Sequence, residues 1–249
     1  MWAAPVGDLP WSAREVPVIF KPETAKACVF DMFGTLFNVH SCVAACQEQF
    51  GPEGTDFSAQ WRRRQLEYSW LRAGMKRYVP FWQLTRDALD VTLREFGRAA
   101  DLELRGRLLD AYLRIEPYPD SGPALAALGK LGIRATVLTN GSRDMTESAL
   151  NSSGLRDRIE EVMSADDVRT FKPDPAMYAM APEVLGVEPH EIVFISAHPW
   201  DLAGATLARF QTLWVNRTEE TQPELLGFGP HLAIASLSEL PGKFASRQH

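Results

Sequence analysis

Cysteine is scarce in this chain: three among 249 residues, Cys28, Cys42 and Cys46, all near the start. Three clustered cysteines exclude a disulfide framework, and reduced thiols in a cytoplasmic protein are expected. Cys42 and Cys46 stand one helical turn apart with His40 nearby, but a single such pair is usually packing on an apolar helix face, so no metal is expected. Long uncharged apolar runs are missing too, which excludes a membrane-spanning helix on sequence grounds. The opening stretch MWAAPVGDLPWSAREVPVIF is broken by Asp8, Arg14 and Glu15 and reads as an irregular, proline-marked arm rather than a secretory leader. Positive charge is not in surplus: 26 basic against 32 acidic residues give a net charge of -6. Neither nucleic acid nor an anionic membrane is an expected partner, and a small anion would need a local basic pocket.

What is present is a regular alternation of short β-branched apolar runs and helical segments. Strands are expected at Ala27–Asp31, Ile133–Asn140, Glu160–Ser164, Glu191–Ser196, Thr212–Asn216 and His231–Ser236. Asp120-Ser121 before Pro123 predicts a helix start and Gly132 its end; Pro175 and Gly186 bracket a second helix in the same way. The pattern implies a doubly wound α/β fold with a mostly parallel, Rossmann-like sheet.

The alternation is interrupted once, by about eighty residues of helical pattern after the first strand, too long for an ordinary connection. Phe57, Trp61, Tyr68, Leu71, Met75 and Val79 recur at helical spacing, with Arg62, Leu66 and Trp70 beside them. Stretches from Trp82 to Phe96 and from Leu102 to Leu113 would complete an inserted helical cap. The organisation expected is an arm over 1–24, a core from 25–40 and 118–249, and a cap over 41–117.

In such a sheet, ligands bind beyond the carboxyl ends of the strands. Four polar stretches fall there: FDMFGTLF with Asp31, VLTNGS with Thr139 and Asn140, FKPDPAMY with Lys172, and FISAHPWD with Ser196 to Asp201. In this order they resemble the four motifs of the haloacid dehalogenase superfamily. The segment SAQWRRRQLEYSWLRAGMKRYVPF resembles the cap of its L-2-haloacid dehalogenase branch.

Phosphatases of that superfamily use a second acid two residues after the nucleophile and a magnesium ion held by carboxylates. Here Phe33 occupies the second position, and Ser196, Ala197 and His198 leave Asp201 as the nearby acid of the fourth motif. Displacement of halide from carbon needs neither lost group, because the halide leaves as a stable anion without a proton.

The resemblance therefore implies that Asp31 attacks C2 of a short 2-haloacid and inverts it. Water then hydrolyses the resulting ester, without cofactor or metal. It implies that Thr35 orients Asp31, that Lys172 balances its charge and assists the oxyanion, and that Asp201 pairs with Lys172 and helps activate water. Ser196 and Tyr178 support them. Arg62 and Asn140 would hold the halide, and Thr139 the substrate carboxylate. Phe33, Leu66, Phe81 and Trp200, with Met32 beside the nucleophile, would complete the substrate site. Arg63 and Arg64 are expected to be solvated helix charges. His198 stands where better-known members have Asn; an imidazole there could orient water or donate to a departing halide, fluoride included. The family also implies a homodimer, with Tyr68, Trp70 and Leu71 as a contact. A phosphatase or phosphonate hydrolase, and a non-catalytic binding protein, are the alternatives.

Overall fold

A computed structural model describes residues 20–39, 41–218, 226 and 228–248. Six strands, β1 (Ala27–Phe30), β2 (Arg134–Thr139), β3 (Val162–Ser164), β4 (Ile192–Ser196), β5 (Gln211–Val215) and β6 (Leu232–Ile234), form one sheet in the order β3-β2-β1-β4-β5-β6. Every pairing is parallel, and β1 is central: Ala27 lies opposite Arg134 on one side and Ile192 on the other. All residues of β1, β4 and β5 are buried, which is why these strands read as continuous apolar runs rather than as alternation. The expected strands are trimmed by one to three residues, and β5 begins one residue earlier, at Gln211; Asp31 and Asn140 leave the strands to build loops.

Helices α5 (Ser121–Lys130), α6 (Arg143–Ser152), α7 (Ala165–Val168), α8 (Pro175–Leu185) and α9 (Pro199–Leu207) alternate with the strands. Gly132 at φ +68° closes α5 and Gly186 at φ +64° closes α8 in the left-handed conformation that glycine adopts without strain. Asp120 does flank α5, but its side chain makes no cap bond. It binds the Arg217 guanidinium at 2.8 and 3.1 Å and accepts from Ser236 and Leu237, tying the end of β5 to the turn after β6.

Between β1 and α5 lie α1 (Ser41–Phe50), α2 (Gly54–Met75), α3 (Phe81–Glu95) and α4 (Leu102–Leu113). They pack on one another through Phe50, Phe57 and Phe96 and through Trp61 against Tyr112. The stripe of apolar positions along α2 is buried only in its first half. Phe57 and Trp61 are inside, Tyr68 is half-buried, and Leu71 and Met75 are 59% and 60% exposed. Lys76, at φ 54°, ends the helix, so Val79 belongs to the following turn. The physical reason is length: α2 runs past the neighbours that cover its beginning.

This helical group faces the loops at the carboxyl end of the sheet. Trp70 meets Trp200, and Tyr78 and Phe81 both meet Phe171. Among the described residues, no helix is long and apolar enough to cross a membrane. The arm expected over 1–24 lies outside the described residues up to residue 19, as do His40 and the side chain of Cys42. From Pro22 to Thr24 a turn of 3-10 helix leads into β1.

Candidate active site

The chain reverses its strand order at β1 and β4, so their carboxyl ends diverge into one crevice. Asp31 is the first residue beyond β1, its N–H still donating to Ile195 O at 2.9 Å. The Met32 carbonyl then accepts from the N–H groups of Thr35, Leu36 and Phe37, winding the chain into a tight turn. Gly34 sits in this turn at φ +103°, and a Cβ there would lie 2.5 Å from His198 Nε2, so only glycine fits.

Asp31 is 6% exposed, and both its oxygens are engaged. Lys172 Nζ donates to Oδ1 at 3.0 Å and the Thr35 hydroxyl to Oδ2 at 2.9 Å. Thr35 is held in turn by the Ala197 N–H, which donates to its oxygen at 2.9 Å. Lys172, fully buried, also donates to Asp201 Oδ2 at 2.8 Å. Asp201 accepts from Tyr178 at 2.7 Å and from Ser196 at 3.2 Å, and the Ser196 hydroxyl accepts from the His198 N–H at 3.1 Å. Every charge is paired and every pair is hydrogen-bonded, the condition for keeping ions out of water.

Burial alone would raise the Asp31 carboxyl, but the Lys172 charge, His198 and the hydrogen bonds from Lys172 and Thr35 outweigh it and hold it below its usual value. Burial opposes the Lys172 charge, yet Asp201 and Asp31 together keep its pKa raised. Asp201 is raised by burial and by the nearby Asp31, against the pull of Lys172. The outcome is an ionised Asp31 beside a charged lysine.

In front of Asp31, a tight cavity is lined by Phe33, Arg62, Leu66, Phe81, Thr139, Asn140, Gly141, His198 and Trp200. The Asn140 side chain accepts from the Lys172 N–H through Oδ1 at 2.7 Å, which fixes the amide; its Nδ2 is buried without a protein partner. That is an orphaned donor at the cavity wall. Arg62 reaches across from α2, donating to Phe33 O at 3.4 Å and Gln65 Oε1 at 3.3 Å. The Thr139 hydroxyl accepts from the Gly141 N–H at 3.0 Å, leaving its own proton to donate. His198 Nε2 lies 3.0 Å from Phe33 O, so that nitrogen carries a proton, and 3.7 Å from Asp31 Oδ2. The imidazole stacks on Trp200 with ring centroids 5.6 Å apart.

The residues expected from sequence thus fall in two groups. Asp31, Thr35, Lys172, Ser196, Tyr178 and Asp201 form a buried network, while Phe33, Arg62, Leu66, Phe81, Thr139, Asn140, His198 and Trp200 surround the cavity. Met32 is fully buried and, like Tyr178, stands outside the ring that lines it. Arg63 and Arg64 pair with Glu67 and Glu95 rather than turning inward.

Sequence reasoning passed over Gln65 and Gly204. Gln65 shares a helix face with Trp61 and Ser69, four residues either side and both buried, which is the signal that marks it as inward. A Cβ on Gly204 would lie 2.4 Å from the Tyr178 hydroxyl, so this glycine makes room for the bond to Asp201.

A magnesium ion of the phosphatase kind does not fit this donor set. Its two carboxylates, Asp31 and Asp201, already share the Lys172 ammonium, and Phe33 and Ala197 add no side-chain oxygen.

Comparison with known proteins bears on this geometry. Residues 25–209 match the family described as haloacid dehalogenase-like hydrolase. The chain is 41% identical to (S)-2-haloacid dehalogenase 1 of Pseudomonas sp. (strain CBS-3) over 217 residues, 87% of this chain and 95% of that one. Its fold is similar to the L-2-haloacid dehalogenase of Xanthobacter autotrophicus solved with chloropropionic acid covalently bound, with a TM-score of 0.82, 35% identity, and 88% and 97% of the two chains covered. It also resembles the defluorinating L-2-haloacid dehalogenase Rha0230, with a TM-score of 0.75, 26% identity, and 91% and 99% covered.

Proposed function

The chain belongs to the haloacid dehalogenase-like hydrolases, and on that premise we propose that it is an (S)-2-haloacid dehalogenase. It would hydrolyse short 2-haloalkanoic acids to 2-hydroxy acids with inversion and without metal. The observation that carries this reading is the pairing of one ionised carboxylate with an apolar-walled cavity whose free donors, Arg62 and the orphaned Asn140 Nδ2, suit an anion that leaves unprotonated.

In the first step an Asp31 oxygen attacks C2 of the haloacid from the side opposite the halogen. The new C–O bond forms as the C–halogen bond breaks, and the halide departs with the electron pair toward Arg62 and Asn140. Thr139 and backbone donors of its loop receive the substrate carboxylate, while Phe33, Leu66, Phe81 and Trp200 hold the alkyl group. Lys172 and Thr35 keep Asp31 aimed and charged until it reacts.

In the second step water adds to the carbonyl carbon of the Asp31 ester. Lys172 stabilises the oxyanion that forms, the proton released passes to Asp201, and His198 helps to orient the water. Collapse frees the 2-hydroxy acid and restores Asp31. The (S) preference follows from the fixed positions of the carboxylate anchor, the halide donors and the nucleophile, which leave one hand of C2 open to rear attack.

Finer features belong to the same reading. His198, already a donor to Phe33 O, is close enough to the site to share its proton with a departing fluoride, which makes fluoroacetate a substrate. A homodimer through the exposed part of α2 around Trp70 and Leu71, and a cytoplasmic location, complete it.

The test is a halide-release panel in excess chelator over chloro-, bromo- and fluoroacetate and both enantiomers of 2-chloropropionate. Release from the (S) enantiomer with retained activity in chelator is expected. Hydrolysis of phosphate esters under magnesium, with no halide release, would sink the proposal. A single turnover in heavy-oxygen water should leave the label in Asp31 before it appears in product. Equal fluoride release by wild type and His198→Asn would remove histidine from the account.

A further inference from the structure

Five arginines of the helical group are ion-paired, while Arg72 and Arg86 hold neutral oxygens, the Arg77 carbonyl and Gln83 Oε1. Arg63, Arg64, Arg98, Arg105 and Arg107 each pair with a carboxylate: Glu67, Glu95, Asp101, Asp90 and Glu103. Arg62, flanked by two of them on the same helix, has no carboxylate within ion-pair distance among the described residues. Its two hydrogen-bond acceptors are neutral carbonyl oxygens, Gln65 Oε1 and Phe33 O.

Gln65 is fully buried, an uncommon place for glutamine. Its Nε2 donates to Thr85 Oγ1 at 3.3 Å, and Thr85 is itself fixed by the Trp61 indole N–H, which donates to its carbonyl at 2.9 Å. That anchor turns the amide so that Oε1 faces two donors, Arg62 Nη1 and the Tyr112 hydroxyl, each at 3.3 Å. Turned the other way, an amide N–H would oppose the guanidinium, which can only donate, and that bond would be lost.

We propose that Gln65 is a positioning residue that aims Arg62 into the cavity while leaving its charge unneutralised, so that the guanidinium remains free for an anion. The inference rests on the dehalogenase reading of the cavity and adds a cause for its anion affinity. A carbonyl directs a guanidinium without cancelling its charge; a carboxylate of the same shape would do both. Leaving-halide charge grows during the first step, so the interaction strengthens toward the transition state and bears on kcat as well as on halide affinity. Glutamate is nearly isosteric with glutamine, and beside Arg62 it would form a buried ion pair, turning this arginine into one more member of the paired set.

The test uses the full chain and two readouts, bromide binding by calorimetry without turnover and halide release from (S)-2-bromopropionate. Gln65→Glu should weaken bromide binding by more than about tenfold and lower kcat, at a thermal midpoint near that of wild type. Gln65→Met, neutral but unable to accept, should cost only a few-fold. Thr85→Val, which frees the amide to turn, should weaken bromide several-fold whether or not the glutamate variant folds. Wild-type bromide affinity in Gln65→Glu, equal losses in Gln65→Glu and Gln65→Met, or an unchanged Thr85→Val would each overturn the inference. A wild type that binds bromide but releases no halide would instead overturn the dehalogenase reading alone.

Discussion

The two sides of the cavity are built by opposite rules. On the sheet side, Asp31, Lys172, Asp201, Tyr178, Ser196 and Thr35 are buried and joined by hydrogen bonds of 2.7 to 3.2 Å. On the helical side, Arg62 and Leu66 are half-exposed, and Arg62 is held by two bonds of 3.3 and 3.4 Å to neutral acceptors. The nucleophile is fixed at a cost in buried charge that the fold must compensate in full. Arg62, which meets the halide from the helical side, lies outside the buried network and is aimed by neutral oxygens. The charge that reacts is thus neutralised by the fold, and the charge that meets the leaving anion is not.

The sharpest way to break this contrast is to remove one cation from each side. Lys172→Met should abolish halide release and cost about 3–5 kcal/mol in chemical denaturation, because two buried carboxylates lose their common partner. Arg62→Met should also abolish release but change stability by under about 1 kcal/mol. Equal stability losses would erase the distinction.

A pair of glycines repeats the comparison at smaller scale. Gly204→Ala forces a Cβ against the Tyr178 hydroxyl and should cost about 1–3 kcal/mol, with a fall in kcat from the disturbed Asp201. Gly74→Ala on α2 meets nothing within 4 Å and should be neutral or stabilising by up to about 1 kcal/mol.

The pH dependence of stability should not depend on Arg62. Asp31 is depressed, so the stability it contributes is present above the ordinary carboxylate range, about 3.9, and is lost only as pH falls through its lower folded value. Lys172 is raised, so its contribution is present below about 10.4 and is lost as pH rises through its higher folded value. Asp201 is also raised and works against the fold above the carboxylate range, which blunts the acid limb without moving the alkaline one. Half-buried His231, whose pKa burial lowers, adds a loss of stability as pH falls below the ordinary histidine value of about 6.5, and the whole profile should keep its shape in Arg62→Met; a changed profile in that variant would contradict the assignment. The smallest effect is expected from Trp70→Ala, which removes an edge contact with Trp200: a few-fold rise in KM for longer 2-haloacids at unchanged kcat.

Much of this is legible in the sequence. The strands announced themselves because a parallel sheet covered on both faces favours apolar residues, and the loops that follow them in a doubly wound fold meet at one edge. That is why Asp31, Asn140, Lys172 and Asp201 could be collected from four distant stretches. What stayed hidden depends on contacts that periodicity does not encode. Asp120 looked like a helix cap but serves as the carboxylate for Arg217. Gln65 reads as one more polar residue after three arginines until its helix face is found to point inward. Gly204 shows no turn signal, because the space it leaves is filled from another helix. The exposed end of α2 was likewise illegible, since hydrophobic spacing says which residues share a face and not how far the covering neighbours extend.

The central place of β1 has one further consequence. The strand that carries the nucleophile is made first, yet its hydrogen-bonding neighbours begin only at Arg134 and Ile192. On a growing chain, β1 waits with both edges unsatisfied while the helical segment is synthesised, and that segment's local contacts let it form early. The assembly order is then helices first, sheet second, and the catalytic crevice last, closing only when β4 slides in beside β1. Partly made chains carry the nucleophile but no site, and a delay before β4 leaves an apolar strand edge available for self-association.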